Sequence, residues 1–375
     1  MKKVLLTATV QSHIAQFHLP LIEMLKQNGY EVHVAARNNL EEKNGLRLDT
    51  PSKIFDIPFN RSPLSINNIK AYRMLKKILN ENKYDAVHCN TPMGGVITRL
   101  AAIETRRAGT KVFYTAHGFH FYKGAPLINW IVYYPVERLL AHVTDKLITI
   151  TKEDYQLAKN KFKTEVCYIH GVGANSRRYF PYTREEIEKL RSELGYNINQ
   201  FILICTGELN KNKNQSTVIK AVAEVKKEIS NIKLLLAGNG PKEQELKDLV
   251  NKLNLRKVVD FLGYRTDLEK YINIADVVIS VSYREGLPLN ILEGMLCEKP
   301  VIASINRGHM ELVQDQVTGY LFNPNDILSC SELIIKLEQN TSLIKTLGLA
   351  GRKRGQLFTS QSVVNELSEI YEMTK

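Results

Sequence analysis

The chain has 375 residues, 44% hydrophobic and 24% charged, the balance of a globular protein long enough to bury two cores. No run of 18 apolar residues occurs, which argues against a membrane-spanning helix, and the apolar stretch 4–10 is too short for a secretory signal. Five scattered cysteines (Cys89, Cys167, Cys205, Cys297, Cys330), odd in number and never spaced Cys-x-x-Cys, argue against disulfides or a cysteine metal site and point to a reducing, cytoplasmic setting.

The net charge of +12 is uneven: residues 1–184 carry 27 Lys/Arg against 14 Asp/Glu, residues 185–375 carry 24 against 25. A basic first half suits an anionic membrane face or a lipid diphosphate, and equally suits a well-solvated lysine-rich exterior. Nucleic acid is not expected as a partner, because the basic residues form no cluster interleaved with aromatics.

In chain order, strand-length apolar runs at 3–10, 31–35, 86–89, 111–116, 146–150 and 165–169 alternate with helical patterns, one of them 17–28 ending at Gly29. Glycines and a proline interrupt this series at 171–181, and a polar helix over 185–194 follows. A second series then begins, with strands at 201–206, 233–237, 258–262, 277–281, 301–303 and 319–322 and helices at 215–229, 242–253 and 289–296. From 339 onward the pattern is helical. Such alternation predicts an α/β fold with two doubly wound, Rossmann-like parallel sheets and a helical C-terminal tail. The expected divisions are 1–175, 176–355 and 356–375. Ligands of such sheets bind beyond the carboxyl ends of the strands, so two facing sheets are expected to form a cleft.

The loops at those strand ends carry the chemistry. The turn after the first strand, Gln11-Ser-His-Ile-Ala-Gln-Phe-His-Leu-Pro20, contains no glycine, which argues against a Gly-x-Gly-x-x-Gly dinucleotide enzyme. It places His13 and His18 where they could face a ligand. His117 follows the strand 111–116 directly, and its ring could bond a sugar hydroxyl or carry a proton; His120 is the competing candidate. Thr206-Gly-Glu-Leu-Asn-Lys-Asn-Lys-Asn-Gln215 opens the second domain. There Gly207 permits close backbone approach, and Lys211 and Lys213 suit a diphosphate ahead of a helix. Gly238 begins another glycine turn, Ala237-Gly-Asn-Gly-Pro241, which equally fits a plain tight turn.

The most informative stretch is Ser282-Tyr-Arg-Glu-Gly-Leu-Pro-Leu-Asn-Ile-Leu-Glu-Gly-Met295. Pro288 suits the first helical position. Glu285 then lies in the preceding loop, and Glu293 stands five residues inside, roughly 7.5 Å along the axis. Between them the N–H groups of Gly286, Leu287 and Leu289 gather at the positive end of the helix dipole. Hydroxyl-bearing groups at both ends of a diphosphate, as in a nucleotide sugar, would satisfy all three features.

Taken together, Thr115-Ala-His-Gly118, Gly207-x-Leu209 with Lys213, Ala237-Gly-x-Gly-Pro241, Phe261-x-Gly263, Ala275-Asp-Val-Val278, the Glu285/Glu293 pair, Lys299-Pro-Val-Ile302 and Gly319-Tyr-Leu-Phe322 resemble the family-4 retaining glycosyltransferases of GT-B architecture. The likeness spans nearly the whole chain. His13-x-x-x-Phe17-His-Leu-Pro20 is similar to the subgroup building bacterial capsule and exopolysaccharide repeat units. The resemblance implies a UDP-sugar donor and a polyprenyl-diphosphate-linked saccharide acceptor taken by the first domain. Glu293 would hold the ribose, and Glu285 and His117 the donor sugar. Lys213, with Lys211, Gly207, Gly238 and the segment 286–289, would cradle the diphosphate, and Gly263 and Tyr264 would receive the base. His13, His18 and His120 would face the acceptor, and the last helix would cross back to the first domain.

One departure is Glu208, where the family carries an arginine; Lys211, Arg265 or Arg284 are candidates to supply that charge. No Asp-x-Asp occurs, so neither metal nor cofactor is expected and the diphosphate would be neutralised by lysines and amides. Front-face transfer is favoured over double displacement through Glu285, which lacks an obvious acid partner. The aromatic segment 126–135 around Trp130 reads either as a buried helix or as one lying in a membrane interface. A non-hydrolysing UDP-sugar 2-epimerase and a non-catalytic nucleotide-sugar-binding protein are the alternatives.

Overall fold

The computed structural model describes residues 1–41 and 46–372. The chain forms two compact units: Met1–Gly173 together with the segment from Ser360 onward, and Ala174–Thr359.

The first unit is built on seven parallel strands: β1 (Lys2–Val10), β2 (Tyr30–Arg37), β3 (Lys53–Asp56), β4 (Ala86–Asn90), β5 (Lys111–Ala116), β6 (Lys146–Thr149) and β7 (Glu165–Tyr168). Their order is β3-β2-β1-β4-β5-β6-β7, with Val4 paired to both Val32 and Ala86. β1 is buried without interruption from Val4 to Val10, as a central strand covered on both faces must be. The order reverses between β1 and β4, which opens a crevice at their carboxyl ends. Edge strand β3 escaped the sequence reading because Lys53-Ile-Phe-Asp56 is short and largely exposed.

The helix expected at 17–28 is Leu19–Gln27, and a separate short helix, Gln11–Phe17, precedes it across His18 where a turn was expected. Pro20 is the cause. Inside one continuous helix it would break a hydrogen bond and clash with the preceding turn, whereas at the second position of a new helix it is tolerated. Helix Leu127–Ala141 buries only Glu137, Leu140 and Ala141. Its other face exposes Leu127, Ile128, Ile131, Val132, Val136 and Leu139 to solvent. The tail is helical in three pieces, Thr341–Gly355, a 3₁₀ turn Gln356–Phe358 and Ser360–Ile370. The last piece belongs to the first unit. Lys146 Nζ bonds the Ile370 carbonyl at 2.9 Å, and Tyr371 Oη meets His88 Nδ1 at 2.8 Å.

The second unit repeats the plan with six parallel strands: β8 (Phe201–Thr206), β9 (Ile232–Ala237), β10 (Val259–Gly263), β11 (Val277–Ser280), β12 (Val301–Ser304) and β13 (Gly319–Phe322). The order β10-β9-β8-β11-β12-β13 reverses between β8 and β11. Leu203, Leu234 and Leu236 pack under Val218, Ile219 and Val222 on one face. Ile202, Ile204 and Leu235 pack under Ile291, Leu292 and Met295 on the other. Burial on both faces explains why these strands read as continuous apolar runs. Among the described residues no helix is long and apolar enough to cross a membrane.

Candidate active site

In the second unit the reversal point lies between the loops that follow β8 and β11, and two side chains named from the sequence meet there. Lys213 Nζ bonds Glu285 Oε1 at 2.7 Å, with both side chains largely shielded from solvent. Gly207 permits this: its φ of +139° suits glycine, and an added Cβ would stand 3.2 Å from Lys213 Cε. The asparagines interleaved with the lysines hold the loop. Asn210 Oδ1 accepts from the Lys213 N–H at 2.9 Å, Asn212 Nδ2 donates to the Arg284 carbonyl at 2.9 Å, and the Tyr283 N–H donates to the Asn212 carbonyl at 2.8 Å. Asn212 thus stitches the two loops together just ahead of the ion pair, and Asn210 fixes the turn that carries Lys213. The lysines of this loop stand out in the sequence; its asparagines do not.

Pro288 is the N-cap rather than the first helical residue; its extended backbone (ψ 108°) delays helix Leu289–Leu296 by one position. Glu293 sits inside that helix, and Asn290 Nδ2 ties the helix to the Thr206 carbonyl at 3.1 Å. Burial pushes the Glu293 carboxyl up to about 7, against the hydrogen bond from Tyr179 and the charge of Arg178. Arg178 is held in turn by Glu269, Nε to Oε2 at 2.8 Å. Tyr179 and Arg178 lie in the stretch read only as a break between domains.

A second omission is the start of the short helix Arg307–Leu312 that follows β12. Gly308 lies against the Glu285 loop so closely that a Cβ would fall 2.4 Å from the Gly286 carbonyl and 2.8 Å from Glu285 Cβ. The neighbouring His309 is buried; burial lowers its pKa to about 4, and its Nε2 lies 3.2 Å from Ser280 Oγ at the end of β11. The signal was available, since Asn306-Arg-Gly-His309 follows a strand next to the reversal point. Thr206 Oγ1 and Ser282 Oγ, at the ends of β8 and β11, are buried with no hydrogen-bond partner among the described residues. Such orphans are costly unless a ligand or water completes them.

Gly238 acts as a spacer. With φ +144°, an added Cβ would lie 2.1 Å from the Gly207 carbonyl. Its N–H donates to the Gly263 carbonyl at 2.8 Å, linking the rims of β9 and β10. Tyr264 beside it is exposed. Lys211 is exposed at the mouth of the loop. Glu208 accepts from Asn210 Nδ2 at 2.9 Å, which occupies the unexpected carboxylate. Arg265 is committed to Asp267 through two 2.9 Å bonds, which makes it a poor substitute for the family's arginine.

In the first unit the reversal point gathers three histidines. His13, on the helix after β1, places Nε2 3.3 Å from Nε2 of His117, which follows β5. His117 Nε2 also lies 3.1 Å from Asn90 Oδ1 at the end of β4. The His18 ring centroid lies 5.2 Å from His13 and 5.6 Å from His117. Burial lowers the pKa of all three, that of His117 to about 4, so the cluster is uncharged at neutral pH. Next to it Thr91 adopts φ +64°, a strained conformation for a β-branched residue. His120 stands apart from the trio and stacks on Tyr133 of the exposed helix at 4.6 Å.

Two Rossmann-like parallel sheets, each with polar side chains converging on its reversal point, define the GT-B class of protein. The family model for glycosyl transferase 4-like proteins matches residues 3–151, and that for glycosyl transferases group 1 matches 186–354. EpsD of Bacillus subtilis, named as a glycosyltransferase, is 44% identical over 372 residues, covering 99% of this chain and 96% of that one. The Escherichia coli UDP-Gal:alpha-D-GlcNAc-diphosphoundecaprenol alpha-1,3-galactosyltransferase is 27% identical over 87% of this chain and 84% of its own. The structure of Anabaena Alr3699/HepE in complex with UDP covers both chains fully at a TM-score of 0.79 and 23% identity, which supports the fold. The chain belongs to the family-4-type glycosyltransferases.

Proposed function

We propose that the protein transfers a sugar from a UDP-sugar, with retention of anomeric configuration and without a metal ion, to a polyprenyl-diphosphate-linked saccharide during surface polysaccharide assembly. The observation that carries this reading is the Lys213–Glu285 pair at the reversal point of the second sheet. It lies one loop before the helix that holds Glu293. The E. coli relative supports the donor and acceptor classes, since its name specifies UDP-galactose and a diphosphoundecaprenol-linked sugar.

On this reading donor binding exchanges the ion pair for one new ion pair and a set of hydrogen bonds. Lys213 turns to the diphosphate, joined by the loop amides of Gly286 and Leu287, and Glu285 accepts hydroxyls of the sugar. Glu293 accepts the ribose hydroxyls. The bond from the anomeric carbon to the phosphate oxygen then breaks, and the acceptor hydroxyl closes on the same face. Its proton passes to the departing phosphate oxygen, so the products are the extended saccharide and UDP. The positive charge that makes UDP a good leaving group comes from Lys213, Lys211 and the helix dipole. Glu208 is oriented by its bond to Asn210.

The exposed apolar face of helix Leu127–Ala141, on the basic half of the chain, supports peripheral contact with an anionic membrane, where a lipid-linked acceptor resides.

The test is a transfer assay in excess EDTA, pairing UDP-sugars with polyprenyl-diphosphate-linked acceptors and determining product configuration by NMR. Retained configuration and undiminished turnover are expected. An inverted product, or activity lost to EDTA and restored by Mg²⁺, would contradict the proposal.

A further inference from the structure

We propose that His13, His18 and His117 form a binding site for a borderline divalent transition metal, zinc or one of its neighbours, in the first unit. One ring nitrogen from each histidine lies within 4.8 Å of the other two. A tetrahedral zinc site, with Zn–N bonds of about 2.0–2.1 Å, holds its ligand nitrogens about 3.3 Å apart. The two Nε2 atoms of His13 and His117 are already 3.3 Å apart, and a modest turn of the His18 ring closes the third edge. Asn90 Oδ1, 3.1 Å from His117 Nε2, stands where a fourth ligand would.

A second observation points the same way. His18 is 95% buried, and its Nε2 has no hydrogen-bond partner among the described residues. A buried imidazole lacking a partner for one nitrogen is unusual, and a bound ligand would complete it. The donor set selects the ion. Three neutral imidazoles without a carboxylate suit zinc, copper, nickel or cobalt, and offer little to magnesium or calcium. Coordination uses the Nε2 lone pairs of His13 and His117, so each of these rings carries its proton on Nδ1 in the bound state.

Metal binding by these histidines does not rest on the transferase reading. A consequence does. Because that reading sets His117 against the donor sugar, an ion held there excludes it and inhibits transfer.

The experiment uses the full chain stripped with chelator and desalted, titrated with Zn²⁺ against a chromogenic competitor, with Co²⁺ as a spectroscopic probe. One equivalent of Zn²⁺ is expected to bind with micromolar or tighter affinity. His13→Ala and His18→Ala should each weaken it at least tenfold while retaining the wild-type circular dichroism spectrum. The Co²⁺ form should show intense tetrahedral d–d bands without thiolate charge transfer, an outcome that needs no variant. Equal affinity in the variants, a thiolate band, a weak octahedral spectrum or no binding at all would each overturn the site. The last result would leave a water in the roughly 20 Å³ cavity beside His18 as the partner of its ring. Zinc binding without inhibition would keep the site and count against the placement of His117.

Discussion

Glu293 is the residue whose surroundings most constrain its chemistry. Its carboxyl, raised to about 7 by burial, is protonated below that pH and ionised above it. Ribose hydroxyls donate to the ionised form, so affinity for a UDP-sugar, whose diphosphate keeps a constant charge here, should fall as pH drops from 8 to 6. The limit is about tenfold per pH unit. Calorimetric titration across that range should show the slope in the wild type and a flat profile in Glu293→Gln. Glu285 is held between Lys213 on one side and Gly308 on the other. Glu285→Gln should keep the fold and lower turnover about a hundredfold, the scale of losing one group that stabilises transition-state charge. Gly308→Ala tests the same centre from behind, because its methyl must push the Glu285 loop outward. Overpacking of this kind costs about 1–3 kcal/mol, so a melting point lowered by a few degrees should accompany a large loss of transfer.

At the scale of elements, the loops after β8 and β11 are stitched by Asn212, while Asn210 holds the first of them in shape. The lysines and glutamates of these loops were singled out by their place at strand ends, a weak signal for the lysines, which are common in loops. The asparagines were not, since a residue that bonds backbone across 70 positions looks like any polar loop residue. Helix Leu289–Leu296 was read to its boundaries, helped by its apolar spacing, although Pro288 proved to be the cap. The helix Gln11–Phe17 was missed because it is only seven residues long and stands where a turn was expected, cut off at His18 by the cost of placing Pro20 inside a continuous helix. Helix Leu127–Ala141 was ambiguous in sequence because its outer face is as apolar as a core face. The structure leaves that face in solvent. Replacing Ile131 and Leu139 together by Glu should abolish sedimentation with anionic vesicles without lowering the melting point. A variant that still sediments like the wild type would remove this helix from the membrane reading.

Across the whole molecule, both sheets were legible from the alternation of apolar runs and helical periods, because strands buried on two faces must be apolar throughout. What a single sequence could not supply was neighbourhood. Tyr179 reaches Glu293 from the segment that precedes its sheet, and Gly308 reaches Glu285 from the next crossover. Nothing local in either stretch marks its partner. The same holds for the three histidines of the first unit, two from the segment after β1 and one from the loop after β5, which the strand order brings together. The proposed function requires Glu293 and Lys213 to bind the nucleotide of a UDP-sugar with no ion. Calorimetric titration of UDP into the full chain in EDTA at pH 8 tests it most directly. One site is expected, weakened at least tenfold by Glu293→Ala and by Lys213→Ala. Undiminished affinity in both variants, or binding that appears only when Mg²⁺ is added, would contradict it.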